Sequence, residues 1–338
     1  MKKRRVFIAL VLLAAVAMLV VQGTAQTPEI EKNMARLAEL RDQMSSASPD
    51  QYEQLKAEYD SLSTATEAQV KAYNADKEAN ARAVSLYNQG NDALRRRRFS
   101  EAVGYFKQSI QLNGMEPRAH YSLGMALQFE RKYDDALAAF DKASKIDPSY
   151  LKAYYAQGVL LGRMGRLDEA LKMYREAIQV ENADPKDLAE AYAGMGSIYF
   201  RQKKFDDAIR AYEKSTAINP EYAESWYNLG KTYSEKKDFK SAVDATQKAV
   251  GLEPRNYKYL TALAEKYNRL GDYSHATTAA QAATGINSNY APAWFELGWA
   301  LENLDKKNEA ISAYEKAMND RAYRQSAEYQ IKLLKGEF

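Results

Sequence analysis

WYNLGKTYSEKKDFKSAVDATQKAVGLEP, residues 226–254, is the stretch whose reading decides the fold. Leu229 and Tyr233 lie four apart, so they share one helical face with Gly230 beside them. The charged run Ser234 to Asp238 interrupts that face. A second helical stretch then opens with Ala242, continues through Ala249 and stops at Pro254. This is the spelling of two helices joined by a short turn. The spelling recurs along the chain as Gly90, Gly124, Gly158, Gly196, Gly230, Ala264 and Gly298, with steps of 34 residues and one of 38. Twelve residues after each stands an alanine: Ala102, Ala136, Ala170, Ala208, Ala242, Ala276 and Ala310. A 34-residue period is that of a helical-pair repeat.

Small residues let two helices approach, and large ones at helical spacing fill the remaining space. Leu123 and Leu127, and Leu297 and Leu301, do so in the first helices; Phe106, Phe140, Tyr174, Tyr212 and Tyr314 follow the second-helix alanine by four residues. Pro148, Pro220 and Pro254 end units. These residues resemble the tetratricopeptide repeat, most fully from Trp226 through Gly230, Tyr233, Phe239, Ala242, Ala249 and Pro254. The resemblance spans residues 83–324. It implies an all-α superhelical solenoid of seven helix-turn-helix repeats that binds proteins or peptides. Thr246 and Ala280 replace the aromatic, and Gly114, Asn182, Ser288 and Ala322 the closing proline, departures that predict local loosening.

The 38-residue step places Pro185-Lys186-Asp187-Leu188 before the fourth unit. Asp184 reads as an N-cap with proline in the first turn, so this first helix should begin one turn early. Residues 325–338 read as a cap helix carrying Tyr329, Ile331, Leu333 and Leu334. Residues 26–82 are helical in composition without the repeat columns. Ile30, Met34, Leu37 and Leu40 form one stripe and Tyr52, Leu55, Tyr59 and Leu62 another, divided at Ser45–Pro49. Thr64 with Glu67 suggests a capping box opening a third helix. Each stripe holds heptad spacing for about two heptads, which favours a helical hairpin over a short self-associating coiled coil.

Residues 1–25 combine Lys2, Lys3, Arg4 and Arg5, an apolar run from Val6 to Val21 and the small residues Gly23-Thr24-Ala25. That is the pattern of a secretory signal cut after Ala25. The expected location is periplasmic or secreted; an uncleaved helix would instead anchor the chain in the inner membrane, the one membrane association expected. An exported helical segment followed by repeats resembles, in layout, the Tol-Pal-associated coordinator proteins of Gram-negative envelopes. The absence of Cys leaves no disulfide, thiol catalysis or thiolate metal site. Without the four leading cations, 44 basic residues face 45 acidic ones, so bulk attraction to nucleic acid is not expected. The Arg95–Arg98 run falls in an inter-helix turn where other units carry Arg131-Lys132, Lys203-Lys204 and Lys236-Lys237, and reads as a solvated turn.

Neither histidine has a ligand or catalytic constellation around it. His120 fills the slot of Trp226 and Trp294, and His275 starts a helix. No enzyme activity, cofactor or metal is expected. The resemblance implies that first helices line a concave groove, at positions three before, one after and four to five after each small residue. It therefore nominates Tyr87, Asn91, Tyr121, Met125, Phe129, Tyr155, Arg163, Phe200, Arg201 and Trp299 as partner contacts, joined by Lys152 through the family's carboxylate clamp, with the first three units as the leading dock. Arg95, Arg163 and Arg201 against Glu235, Glu265 and Glu302 predict a basic and an acidic end. The family's carboxylate clamp is matched at Asn91 and Lys152 but not at Tyr87, Ser122 and Ala156.

Overall fold

The computed structural model describes residues 27–337, and the expected signal segment lies outside them. All regular structure among the described residues is α-helical. None of these helices is long and apolar enough to cross a membrane. Contacts divide the chain into two compact units, residues 27–96 with 104–114, and residues 97–103 with 115–337.

In the first unit, α1 (Pro28–Ser46) and α2 (Pro49–Arg95) form a hairpin. Asn33 Nδ2 donates to Gln69 Oε1 (3.0 Å) and Arg36 Nη2 to Glu58 Oε1 (2.8 Å), partners that run in opposite order along the two helices. Ile30, Leu37 and Leu40 are buried in it. At the start of α2 Gln51 Oε1 accepts from Ser48 N (3.2 Å) and Ser48 Oγ (3.0 Å), and Pro49 occupies the first turn. The third helix expected at Thr64 does not begin there. With no Gly or Pro between Pro49 and Gly90, α2 runs unbroken for 47 residues and passes through positions 82 and 83. Thr64 Oγ1 donates back to the Asp60 carbonyl (2.9 Å), the mid-helix role of threonine rather than a cap. The end of α2 packs on α3 (Phe99–Leu112), where Ser109 Oγ donates to the Ala83 carbonyl at 2.8 Å.

The second unit is a succession of hairpins. They are α4 (Pro117–Phe129) with α5 (Tyr133–Ile146), α6 (Leu151–Arg163) with α7 (Leu167–Ile178), and α8 (Pro185–Arg201) with α9 (Phe205–Ile218). Then follow α10 (Ala223–Glu235) with α11 (Phe239–Leu252), α12 (Tyr257–Leu270) with α13 (Tyr273–Ile286), and α14 (Ala291–Asn303) with α15 (Lys307–Ala317). Helix α16 (Arg321–Lys335) closes the series. The small-residue column is a contact column: a Cβ on Gly124 would lie 2.6 Å from the Phe140 ring, and on Gly298 2.7 Å from Tyr314. At α12/α13 the pair is Ala264 and Ala280, both fully buried, so the volume lost from the aromatic is partly regained as a Cβ on the facing helix. At α10/α11 Thr246 is fully buried behind Gly230, its Oγ1 bonded to the Ala242 carbonyl at 2.7 Å. The loosening expected at these two substitutions is absent.

Each turn between paired helices ends in a left-handed residue: Arg131, Gly165, Lys203, Lys237, Gly271 and Asp305. The next amide reaches back across the helix end, as from Lys204 N to the Tyr199 carbonyl (2.9 Å) and Lys306 N to Leu301 (2.9 Å). This Schellman closure satisfies carbonyls the helix leaves open. Trp226 and Trp294 anchor the turns before their helices, each donating its indole N–H at 2.8 Å, to Pro220 and Ser288 carbonyls. His120 is buried in the corresponding slot. Asp184 accepts from Lys186 N (2.8 Å) with Pro185 leading, and α8 has 17 residues where α4, α6, α10 and α14 have 13. The cap helix starts at Arg321, four residues before expectation, because Asp320 supplies an N-cap to Ala322 N (2.8 Å). It buries Ala327 and Ile331 against the core of the last hairpins with Leu334 beside them, and leaves Tyr329 and Leu333 about half exposed, contrary to the expected stripe.

One half-buried carboxylate makes this packing pH-sensitive. Burial pushes Glu296 up to about 7, opposed by an Asn268 Nδ2 bond at 2.9 Å, with Glu265 raising it further and Arg269 and Lys266 lowering it. Between about pH 4.5 and 7 the native chain holds a proton that the unfolded chain has released, so stability falls as pH rises through that window. Urea midpoints should therefore decline from pH 5 to 7, and Glu296→Gln should flatten this decline; an equal decline in the variant would contradict the assignment.

Candidate functional site

The site arises from a gap. Three residues before the small column, the first helices carry Tyr87, Tyr121, Tyr155, Tyr227 and Phe295, but α12 carries Thr261, and α8 carries Ala193, followed by Gly194. Four of these aromatics pack against the buried second-helix ring of their own hairpin, whereas Tyr227, whose hairpin has Thr246 there, stacks on Tyr259 of α12 at 4.8 Å. Centroid separations are 5.9 Å for Tyr87–Phe106, 5.6 Å for Tyr121–Phe140, 5.9 Å for Tyr155–Tyr174 and 5.4 Å for Phe295–Tyr314. Where Ala193 and Gly194 leave the row empty, a cavity of about 350 Å³ opens among α6, α8 and α10.

Its walls are Tyr155, Val159, Gly162 and Arg163 from α6, Glu190, Ala193, Gly194, Ser197, Ile198 and Arg201 from α8, and Tyr222, Glu224 and Asn228 at α10. Tyr174 of α7 forms the floor, its ring against both Gly158 and Gly194; a Cβ on Gly194 would approach it to 2.5 Å. Burial, followed by the Glu190 and Glu224 carboxylates, pushes the Tyr155 phenol up to about 12. Burial also raises Tyr174, with Arg163 opposing, and raises Tyr222 together with the Glu224 carboxylate. All three therefore remain hydroxyl donors at neutral pH. Arg201 Nη1 donates to the Gly162 carbonyl at 2.5 Å and ties α8 to the end of α6. Glu190 is raised chiefly by burial, then by Asp187. The cavity thus offers guanidinium and phenol donors and carboxylate acceptors, and lacks a nucleophile paired with a base. Among the described residues no group of three or more His, Cys, Asp or Glu side chains is placed to hold a metal.

Of the nominated contacts, the cavity gathers Tyr155, Arg163 and Arg201. The others stand elsewhere. Tyr87 and Asn91 are half-buried in the first unit. Tyr121 packs edge-on to Tyr150 (5.5 Å), Met125 is half-buried, and Phe129 stacks on Phe99 at 4.7 Å. Lys152 Nζ pairs with Asp187 (3.5 Å). Phe200 receives Lys231 Nζ at 4.6 Å from its ring centre, and Trp299 faces the Arg269 guanidinium at 5.4 Å. Of the expected acidic residues, Glu265 pairs with Lys266 (3.1 Å) and Glu302 accepts the Tyr314 hydroxyl (2.7 Å). Sequence reading passed over Glu190, Ser197, Tyr222, Glu224 and Asn228. The signal that points to them is the pair of small residues Ala193-Gly194 in the aromatic column, a pairing that the other interruption, Thr261, lacks.

The repeated hairpin, its small-residue column and its Schellman turns define a helical-repeat scaffold, a class that works through protein–protein interaction. The chain belongs to the tetratricopeptide repeat family: models of that repeat match residues 87–150, 149–221, 187–252 and 291–319, more than half of the chain. Among solved structures it is similar to PilF of Pseudomonas aeruginosa, with 17% identity over 64% of this chain and 96% of that one and a TM-score of 0.55. A tetratricopeptide repeat protein from Parabacteroides merdae shares 16% identity over 75% of this chain and 99% of its own, with a TM-score of 0.52. A chain of the anaphase-promoting-complex Cut9–Hcn1 hetero-tetramer shares 22% identity over 68% of this chain and 46% of that chain, also at 0.52. At these identities the likeness is one of fold. No curated protein sequence matches this chain.

The floor of the cavity is close-packed, so Gly194→Ala should displace the Tyr174 ring and lower stability by about 1–3 kcal/mol. Gly104, with nothing within 4 Å of its notional Cβ, is the control: Gly104→Ala should keep or slightly raise the denaturation midpoint. Equal effects of the two changes would show that the Tyr174 contact is slack.

Proposed function

We propose that this protein is an exported, non-catalytic scaffold that holds a segment of another protein in the cavity formed by α6, α8 and α10. The observation that carries the reading is the interruption of the aromatic row at Ala193-Gly194, which leaves a recess lined by Tyr155, Arg163, Glu190, Arg201 and Glu224. Hydroxyl and guanidinium donors beside carboxylates suit a polypeptide backbone and its side chains, and aromatic–arginine neighbourhoods are common anchor points in interfaces. The cationic leader, apolar run and small residues of positions 1–25 support export to the periplasm, and the layout of the chain supports a role in the cell envelope. Self-association through residues 27–82 has less support, since Ile30, Leu37 and Leu40 are spent inside the α1/α2 hairpin.

Ala193→Tyr restores the residue type found at the equivalent position of other hairpins and fills the recess without breaking the hairpin. Photo-crosslinking from position 197 in the source cell should recover a polypeptide partner, and Ala193→Tyr should abolish that adduct while leaving the circular dichroism unchanged. Persistence of the adduct in the filled variant would refute the cavity as the dock. Mass spectrometry of the cell-derived chain should give an N-terminus at Gln26, and retention of Met1 would contradict export by cleavage.

A further inference from the structure

The cavity is electrically divided, and its division selects a ligand. Lys152, Glu190 and Glu224 occupy the same helical position, six before the small residue, in α6, α8 and α10. Lys152 would be the natural counter-ion of Glu190. The additional turn at the start of α8 changes that, because it carries Asp187, which engages Lys152 at 3.5 Å. Among the described residues neither Glu190 nor Glu224 forms an ion pair, and the Tyr222 hydroxyl reaches Glu224 Oε2 only at 3.4 Å. Tyr155, Tyr222 and the two carboxylates lie close enough to perturb one another, and Lys186 and Lys152 act on Glu190 without pairing with it, so two acidic groups and two aromatic faces converge with no cation in an ion pair with either carboxylate.

The opposite end carries the opposite sign. Arg163 and Arg201 are the last residues of α6 and α8. Arg201 is engaged with the Gly162 carbonyl, whereas Arg163 is exposed and, among the described residues, makes no ion pair. Tyr155 at the acidic end and Arg163 are both on α6, eight residues apart, an axial rise of about 12 Å. An extended chain advances about 3.3 Å per residue, so about four residues span that distance.

We infer that the cavity takes a dipolar polypeptide segment, with a Lys or Arg side chain seated between Glu190 and Glu224 and an Asp or Glu about four residues away at Arg163. The inference rests on the reading that this recess holds a protein segment, and adds the chemistry of that segment. A wholly acidic segment meets the two glutamates at one end, and a wholly basic one meets Arg163 and Arg201 at the other. Only a segment bearing both signs satisfies both ends, and charge complementarity of this kind acts chiefly on specificity.

Selection of phage-displayed random twelve-residue peptides on the full chain tests it. Peptides retained by the wild type and lost on Ala193→Tyr should be enriched in a cation and a carboxylate three to five residues apart. By fluorescence anisotropy a selected peptide should bind about tenfold more weakly to Arg163→Glu and to the Glu190→Lys/Glu224→Lys pair. Repeated selection on Arg163→Glu should shift the retained peptides towards two cations, and on the glutamate-reversed variant towards two carboxylates. Cavity-dependent peptides of one sign, or with no charge pattern, would overturn the dipolar assignment and leave the recess as a peptide dock. Peptide capture that Ala193→Tyr does not touch would overturn both.

Discussion

Everything in this molecule depends on how closely the two helices of a hairpin approach. The distance is set by a small residue on the first helix facing a ring or a smaller group on the second: Gly124 with Phe140, Gly196 with Tyr212, Gly298 with Tyr314. The identity of the pair varies along the stack, and the change in volume is partly compensated. When Ala280 takes the ring's place, Ala264 takes the glycine's, and both remain fully buried. Close packing explains this compensation, because a void at the contact would forfeit dispersion energy and an overlap would cost strain.

The same constraint makes the candidate site. Tyr87, Tyr121, Tyr155 and Phe295, nearly one turn before the small residue, lean on the second-helix ring of their own hairpin. Ala193 and Gly194 remove one of those rings, and Tyr174 then packs against the vacated backbone. The recess is therefore supported by the core rather than borrowed from a loop. Its polarity comes from a separate change, the extra turn of α8, which takes Lys152 into an ion pair with Asp187. Packing gives the site its shape, and a four-residue insertion gives it its charge.

Much of the fold was legible because it is written in columns. Gly90 through Gly298, the alanines twelve residues later and Asp184-Pro185 fix helix, turn and insertion through local steric rules that repeat. Single deviations were harder to read. Thr64 has the composition of a cap, but only the absence of a break on either side shows it to be interior. Tyr329 and Leu333 share the apolar character of Ile331, yet one end of the stack offers room for a single face of α16. The site was half legible: Tyr155, Arg163 and Arg201 follow from column positions, whereas Glu190 and Glu224 look like ordinary solvated helix charges. Their meaning depends on a missing ring and on a lysine spent elsewhere, relations between residues tens of positions apart.

The unbroken course of α2 carries a consequence for where the chain divides. The residues that pack on α1 and those that pack on α3 belong to one hydrogen-bonded ladder with no intervening cap. Severing that ladder at position 82 would leave a fresh helix start with four amide hydrogens lacking helical acceptors. A boundary drawn at the start of the sequence period therefore cuts a helix, and the break in regular structure that follows α1 and α2 comes only after Arg95.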